Sequence, residues 1–479
     1  MHGWTRLAGC ALLLALTGCT ADPAPTASPT GTAAPAAGSA PSGVLVHLFE
    51  WPWASVGREC ADRLGPAGVA GVQISPPQEH VELPDAKYPW WQDYQPVSYK
   101  IQSRRGDRAA FAAMVSDCHA AGVKVYADAV MNHMTAQLSG VGSAGTKFTL
   151  TGYPDYDGAA DFHHCGHSVT DWTNRDEVTT CDLLGLADLA TERPSVRARL
   201  SAYLDDLVSL GVDGFRIDAA KHIPSADLAA ILGGMKRPVP VYQEVLDEPL
   251  LSKEYLGLGA VLEPRYGTDL SRAMRPGGSL INLSDLGKPT GDMLDYQPSA
   301  SAVVYVDSHD TQRGGNTLSY ADGYLHTLAT EFMLAWPYGT PLVMSSFAFQ
   351  SFDDGPPSTS DGTTKPVVCG PKAFVCEHRT GLGLVRFRST AGGAPVSRWW
   401  SEDDQLGFAR EGKGYFALNR SAAPVTREVD TGLAAGSYVD RLSGRTVTVD
   451  EAGRATITIP AQGALAFDVS AANDVKDTP

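Results

Sequence analysis

One unit recurs along most of the chain: an amphipathic stretch, a glycine, then a short apolar run. Residues 108–121 place Phe111, Met114 and Val115 on one helical face, Gly122 closes the stretch, and 123–130 follow as a strand. Residues 195–210 repeat the arrangement, with Val196, Leu200, Tyr203, Leu204 and Leu207 in one stripe. Gly211 is the stop, and 212–218 form the next strand. Further apolar runs at 43–49, 71–75, 239–244 and 302–307 read as strands of the same set. Helices alternating with strands predict a parallel sheet covered by helices. Several runs end in polar or ionisable residues: Glu50, Asn132, Asp218, Glu244 and Asp310. An open doubly wound sheet also binds ligands at strand ends. Polar side chains on so many different strands favour the upper face of a TIM (β/α)8 barrel.

Two segments break the pattern. Residues 134–186 are rich in Gly, Asp and Thr and lack a helical period, which suggests an irregular excursion between a strand and its helix. From about Ser397 helices disappear, and runs at 414–419, 445–449 and 455–460 alternate between glycine turns. The expected organisation is a barrel from 44–133 and 187–395, an inserted subdomain at 134–186 after strand three, and a C-terminal antiparallel β-sandwich at 396–479.

The first residues read as an export signal. Arg6 gives the positive start, and residues 7–16 are an apolar stretch too short to span a membrane. It ends in Leu16-Thr17-Gly18-Cys19, which resembles the lipobox of bacterial lipoproteins; that likeness implies cleavage after residue 18 and a lipid on Cys19. Residues 20–43 are Ala, Pro, Thr, Ser and Gly with one charge, Asp22, a composition that makes a flexible tether. The expectation is an exported monomer that meets the membrane only through that lipid. A net charge of −16 with no basic run argues against nucleic acid as a partner. With Cys10 and Cys19 set aside, Cys60, Cys118, Cys165, Cys181, Cys369 and Cys376 suit three disulfides in an oxidising compartment, with the pairing open among 15 possibilities. Zinc is disfavoured, because no matched Cys-x-x-Cys pairs occur.

Chemistry concentrates at the strand ends. In Gly214-Phe215-Arg216-Ile217-Asp218 the alternation of a strand turns Arg216 and Asp218 to one side, where the guanidinium holds the carboxylate ionised. A structural ion pair would explain this segment alone equally well. Glu244 ends another run, Asp307-Ser308-His309-Asp310 a third, and Asp128 with Asn132 and His133 a fourth. Each could be a cap or a turn, but their repetition on separate strands points to one catalytic face.

These four segments resemble, in order and with similar spacing, the conserved regions of the α-amylase family: residues 128–133, 214–222, 244–247 and 305–310. The likeness extends to 71–77, 88–100 and 376–379 and is closest to the animal-type enzymes that some actinobacteria share. It implies endo-acting, retaining hydrolysis of α-1,4-glucosidic bonds in starch, with α-glucanotransferase activity by the same residues as the alternative. Asp218 would be the nucleophile, Glu244 the general acid/base and Asp310 the transition-state stabiliser. Arg216 would hold the nucleophile; His133 and His309 would bind sugar hydroxyls. Tyr94, Trp90, Trp91, Gln95 and Lys221 would line the cleft, although core packing is the plainer use of a Trp-Trp pair. On physical grounds Arg216 is expected to keep Asp218 charged, while Asp218 and Asp310 keep Glu244 protonated.

The resemblance also implies a structural Ca²⁺ held by Asn132, Asp188 and the carbonyls of His222 and, less firmly matched, Thr179; hard oxygen ligands suit that ion. It implies the pairings Cys60–Cys118, Cys165–Cys181 and Cys369–Cys376. Two departures stand out. Ser308 and Leu342 replace the asparagine and basic residue that complete the family's chloride cage around Arg216, so no chloride is expected. The glycine-rich loop after the third carboxylate is altered at 313–318, which puts loop gating in question.

Overall fold

The computed structural model describes residues 40–158, 160–246, 249–289 and 295–470. The export signal, Cys19 and the tether up to residue 39 lie outside the described residues. Eight parallel strands close a barrel: β1 (Leu45–Leu48), β2 (Gly71–Ile74), β3 (Lys124–Ala129), β4 (Gly214–Ile217), β5 (Val241–Gln243), β6 (Ala260–Leu262), β7 (Ala302–Val304) and β8 (Thr340–Ser345). Each pairs in register with its chain neighbours, and β8 returns to β1 through Leu342 opposite Leu45. The sequence reading found six of these strands and missed β6 and β8.

Alternation along the strands builds two cores. Phe215, Ile217, Val261, Val304 and Val343 face the surrounding helices. Leu45, Tyr126, Tyr242, Ala260, Leu262, Val303 and Leu342 fill the barrel itself. Gly214 is required there, since a Cβ would sit 2.5 Å from the Tyr126 ring and 2.5 Å from the Pro240 carbonyl. Helices α1 (Trp53–Glu59), α2 (Arg108–Ala120), α3 (Arg175–Thr180), α4 (Pro194–Ser209), α5 (Pro264–Met274), α6 (Tyr324–Ala335) and α7 (Leu382–Ala391) include the two read from the sequence, α2 and α4. Asp107 caps α2 by accepting the Ala110 N–H at 2.8 Å, and α4 starts with Pro194 in its first turn. No described helix is long and apolar enough to cross a membrane.

At the floor, before the first strand, Ala40 N donates to Ala300 O at 2.9 Å and Thr340 Oγ1 donates to Pro41 O at 2.6 Å. The chain is thus already fastened to the N-terminal ends of β7 and β8 when it enters β1. The segment between β3 and α4 holds a small hairpin (Ser139–Val141 with Lys147–Thr149) and α3, stapled by Cys165–Cys181. Cys60–Cys118 ties the outer layer, and Cys369–Cys376 closes a loop after β8. All three pairings are those the family resemblance implied.

After α7 come β9 (Val396–Glu402), β10 (Gln405–Arg410), β11 (Gly414–Asn419), β12 (Val425–Asp430), β13 (Gly436–Val439), β14 (Thr446–Val449), β15 (Arg454–Ile459) and β16 (Gly463–Asp468). A four-stranded antiparallel sheet, β9-β10-β11-β16, is faced by the pairs β12-β15 and β13-β14 across a core of Ala409, Tyr415, Val429, Ile457 and Phe467.

Candidate active site

The C-terminal ends of β3, β4 and β5 bring three carboxylates onto one guanidinium. Arg216 Nη1 lies 2.8 Å from Asp128 Oδ1 and 2.6 Å from Asp218 Oδ1, and Nη2 lies 3.0 Å from Glu244 Oε1. Arg216 is buried, so these charge-assisted contacts are shielded from water. Directly after Asp218 the backbone turns into the left-handed region at Ala219 (φ 47°), and the Ala219 N–H donates to Glu244 Oε2 at 2.7 Å. A non-glycine residue held there costs about 1–3 kcal/mol, which the packed surroundings must sustain. The turn fixes one carboxylate by means of the strand that carries the other.

Beneath this cluster a polar layer crosses the barrel. Tyr94 donates its hydroxyl to Asp128 Oδ2 at 3.0 Å, and Tyr242 donates to Gln73 Oε1 at 2.7 Å. Asp128 therefore takes part in the site, a role the sequence reading did not assign. Its signal was the strand run ending at Asn132, four residues on. A cavity of about 20 Å³ sits here between His47, Gln73, Arg216, Ser308 and Leu342.

Asp310 enters from the β7 end as the residue before a short helix, Thr311–Gly314. Its side chain is 40% exposed, and His309 Nε2 lies 3.4 Å from its Oδ2. His309 stacks on Tyr94 at 5.1 Å and on Phe49 at 4.9 Å, with Trp90 edge-on at 5.5 Å. Burial pushes the His309 imidazole well below its ordinary range and His133 down to about 4. Both rings are neutral near pH 7, so they can exchange hydrogen bonds with hydroxyls without adding charge. His133 Nε2 meets the Tyr94 carbonyl at 3.0 Å.

The electrostatics differ from the sequence expectation. Burial pushes the Asp218 carboxyl upward; Arg216 pulls it down, and Glu244 and Asp128 raise it further. Burial likewise raises Asp128 to about 6 and Asp310 to about 7, with Glu244 adding to the second. A single guanidinium cannot keep every surrounding acid ionised once Asp128 and Asp218 are withdrawn from water.

The remaining cleft residues divide. Trp90 is buried and donates Nε1–H to Phe352 O at 2.8 Å; Trp91 is half-buried and donates to Asp353 Oδ1 at 2.8 Å. Gln95 is turned to the root of the insertion, where Oε1 accepts from Thr135 Oγ1 at 2.7 Å and Ala136 N at 3.2 Å. Lys221 lies with Nζ 5.3 Å from the exposed Trp172 ring, an aromatic neighbour the sequence reading missed.

Below the insertion, Asn132 Nδ2 approaches Asp188 Oδ1 at 3.1 Å and His163 Nδ1 lies 2.6 Å from Asp188 Oδ2. Asp188 is 2% exposed, and burial raises its carboxyl to about 7. The His222 ring joins this region to α3 through the Val178 carbonyl at 2.8 Å, and Thr179 is buried one residue on. A buried carboxylate with a side-chain amide at its edge supplies the oxygen-bearing groups that a hard divalent cation takes.

The chain resembles known proteins along most of its length. Residues 65–231 match the alpha amylase catalytic domain, and 399–470 match the alpha amylase C-terminal all-beta domain. An alpha-amylase of Thermomonospora curvata is 45% identical over 96% of this chain and 79% of its own. One from Tribolium castaneum is 40% identical over 89% of this chain and 94% of its own. A mutant alpha-amylase I from Eisenia fetida, solved as a maltohexaose complex, superposes with a TM-score of 0.84 at 35% identity, covering 90% of this chain and 97% of the other. With 40–45% identity to these relatives over most of its length and both domains matched, the chain belongs to the alpha-amylase family.

Proposed function

We propose that this protein is an endo-acting α-amylase, which hydrolyses α-1,4-glucosidic bonds of starch and related α-glucans with retention of configuration. The observation that carries the reading is the pair Asp218 and Glu244 bound to one guanidinium, with Asp310 opposite at the mouth. Retaining glycosidases need two carboxyl groups about 5–5.5 Å apart, one as nucleophile and one as proton donor. Asp218, aligned by Arg216, is suited to attack the anomeric carbon. Glu244, oriented by the Ala219 N–H, gives its proton to the departing glycosidic oxygen and then takes one from water. Asp310 and His309 would contact the distorted sugar, with Tyr94 and Trp90 packed alongside them. A glucan hydroxyl could replace water in the second step, which makes α-glucanotransferase activity the alternative.

Asn132 and Asp188, with the carbonyls of His222 and Thr179, would hold Ca²⁺. Such an ion supplies structural cross-linking between the insertion and the barrel, not chemistry at the bond being cut. Chloride has no assigned part: Arg216 is shared by three carboxylates, and Leu342 brings no second positive charge to its cavity. Cys19 would carry a lipid after export, leaving the catalytic body outside the cell, and the disulfides fit that compartment.

The test is the anomer formed first from a maltooligosaccharide, followed by NMR. The α-anomer is expected; a β-anomer would refute retention. Glu244→Gln should lower kcat by about 10²- to 10⁴-fold.

A further inference from the structure

The segment following Asp310 is held from behind. Thr317 donates its hydroxyl to Thr311 Oγ1 at 2.9 Å, and the same oxygen accepts the Ser308 N–H at 2.9 Å. The turn that carries Asp310 and the stretch at Thr317 are therefore one hydrogen-bonded unit. Arg275, at the end of α5, reaches this unit with Nη2, donating to Gly315 O at 3.3 Å and Thr317 O at 2.9 Å. From the same helix, Ser271 Oγ accepts the Leu318 N–H at 2.8 Å.

The end of α5 is in turn fixed by the C-terminal domain. Arg420, the residue after β11, donates Nη1 to the carbonyls of Ala273 (3.0 Å), Met274 (3.2 Å) and Arg275 (3.0 Å), and Nη2 to Gly278 O at 3.2 Å. Asp404 accepts its Nε–H at 2.9 Å. A guanidinium here satisfies carbonyls that a helix C-terminus leaves without partners and complements the negative end of its dipole. The Arg420 side chain is only 9% exposed, so water competes little for these bonds.

We infer that Arg420 and Arg275 act in series as positioning residues for Asp310, so that the C-terminal β domain sets the geometry of the catalytic cleft. This rests on the proposed role of Asp310. Apart from the Asp404 carboxylate that holds Arg420, both guanidiniums bond backbone carbonyls at the end of α5 and in the stretch leading back to Asp310. Losing either one frees residues 315–317, removes the restraint on Thr311 and lets the neighbouring carboxylate drift.

The test compares Arg275→Ala, Arg420→Ala and the double variant, with Arg420→Lys as the conservative change. Activity is read on a chromogenic maltooligosaccharide, and amide hydrogen exchange is followed over residues 308–318. Each alanine variant should lower kcat by about twofold to thirtyfold with KM little changed. The double variant should be no worse than the worse single, because the two residues lie on one path. Arg420→Lys should recover part of the loss, and exchange over 308–318 should quicken in both single variants. Unchanged kcat with a lowered Tm would overturn the inference, as would losses that multiply in the double variant or exchange unaffected by Arg420→Ala. Should Arg420→Ala fail to fold, Asp404→Asn loosens the same side chain without removing it and is read the same way. Asp310→Asn is measured alongside: if it keeps full activity, the role of Asp310 falls, while the exchange data still decide whether the arginines hold its loop.

Discussion

Arg216 serves three carboxylates at once, and this sets how the site responds to pH. Asp128, Asp218 and Glu244 all touch it, and Asp310 feels its charge from the mouth of the cleft. Burial raises the Asp128 and Asp218 carboxyls against the pull of Arg216, so protons are held beside the guanidinium above the usual carboxylate range. The dependence of kcat/KM on pH should be the same with and without chloride. A severalfold activation by chloride would show that an anion completes the site. Asp218, Glu244 and Asp310 were legible in the sequence because each ends an apolar run within a familiar motif. The load on Arg216 was not. Local alternation pairs it with Asp218 two residues on, whereas Asp128 arrives only because β3 lies beside β4.

Among the elements, six barrel strands were readable and β6 and β8 were not. Gly257, Gly259 and Pro264 flank β6, and β8 contains Pro341, so turn-forming residues mask both before their neighbours are known. The insertion was recognisable as irregular, but the residues at its root, Asn132, Asp188, His222 and Thr179, were reached only through the family resemblance, because they come from four separate segments. Calcium belongs to this scale. An ion bound only by the folded state stabilises by about 4 kcal/mol at a thousandfold excess over its Kd. A chelator should accordingly lower Tm, added Ca²⁺ should restore it, and Asp188→Asn should blunt both effects in a thermal melt. A Tm indifferent to chelation would remove calcium from the proposal.

For the whole molecule, the two domains share an apolar seam with one acid inside it. Phe332 and Trp336 of α6 pack against Phe408, with Trp399 stacked on the same ring at 5.9 Å. Glu331, next to Phe332, is buried with Oε2 unpaired, and burial raises its carboxyl from 4.5 to about 8, Asp440 adding to the effect. Because the folded value is the higher one, its contribution is intact below about 4.5 and is lost as pH rises to about 8. Glu331→Gln should therefore leave stability unchanged near pH 4.5 and raise it above pH 8, by an amount on the order of a few kcal/mol. Denaturant titration at both pH values checks this; equal stability of the two proteins at alkaline pH would show that the acid finds a partner when ionised.

The fastening of Ala40 and Pro41 to the barrel floor has a consequence for traffic around the enzyme. Both bonds lie at the end of the barrel opposite the carboxylates, so the described chain enters β1 without crossing the mouth of the cleft where a long glucan must lie.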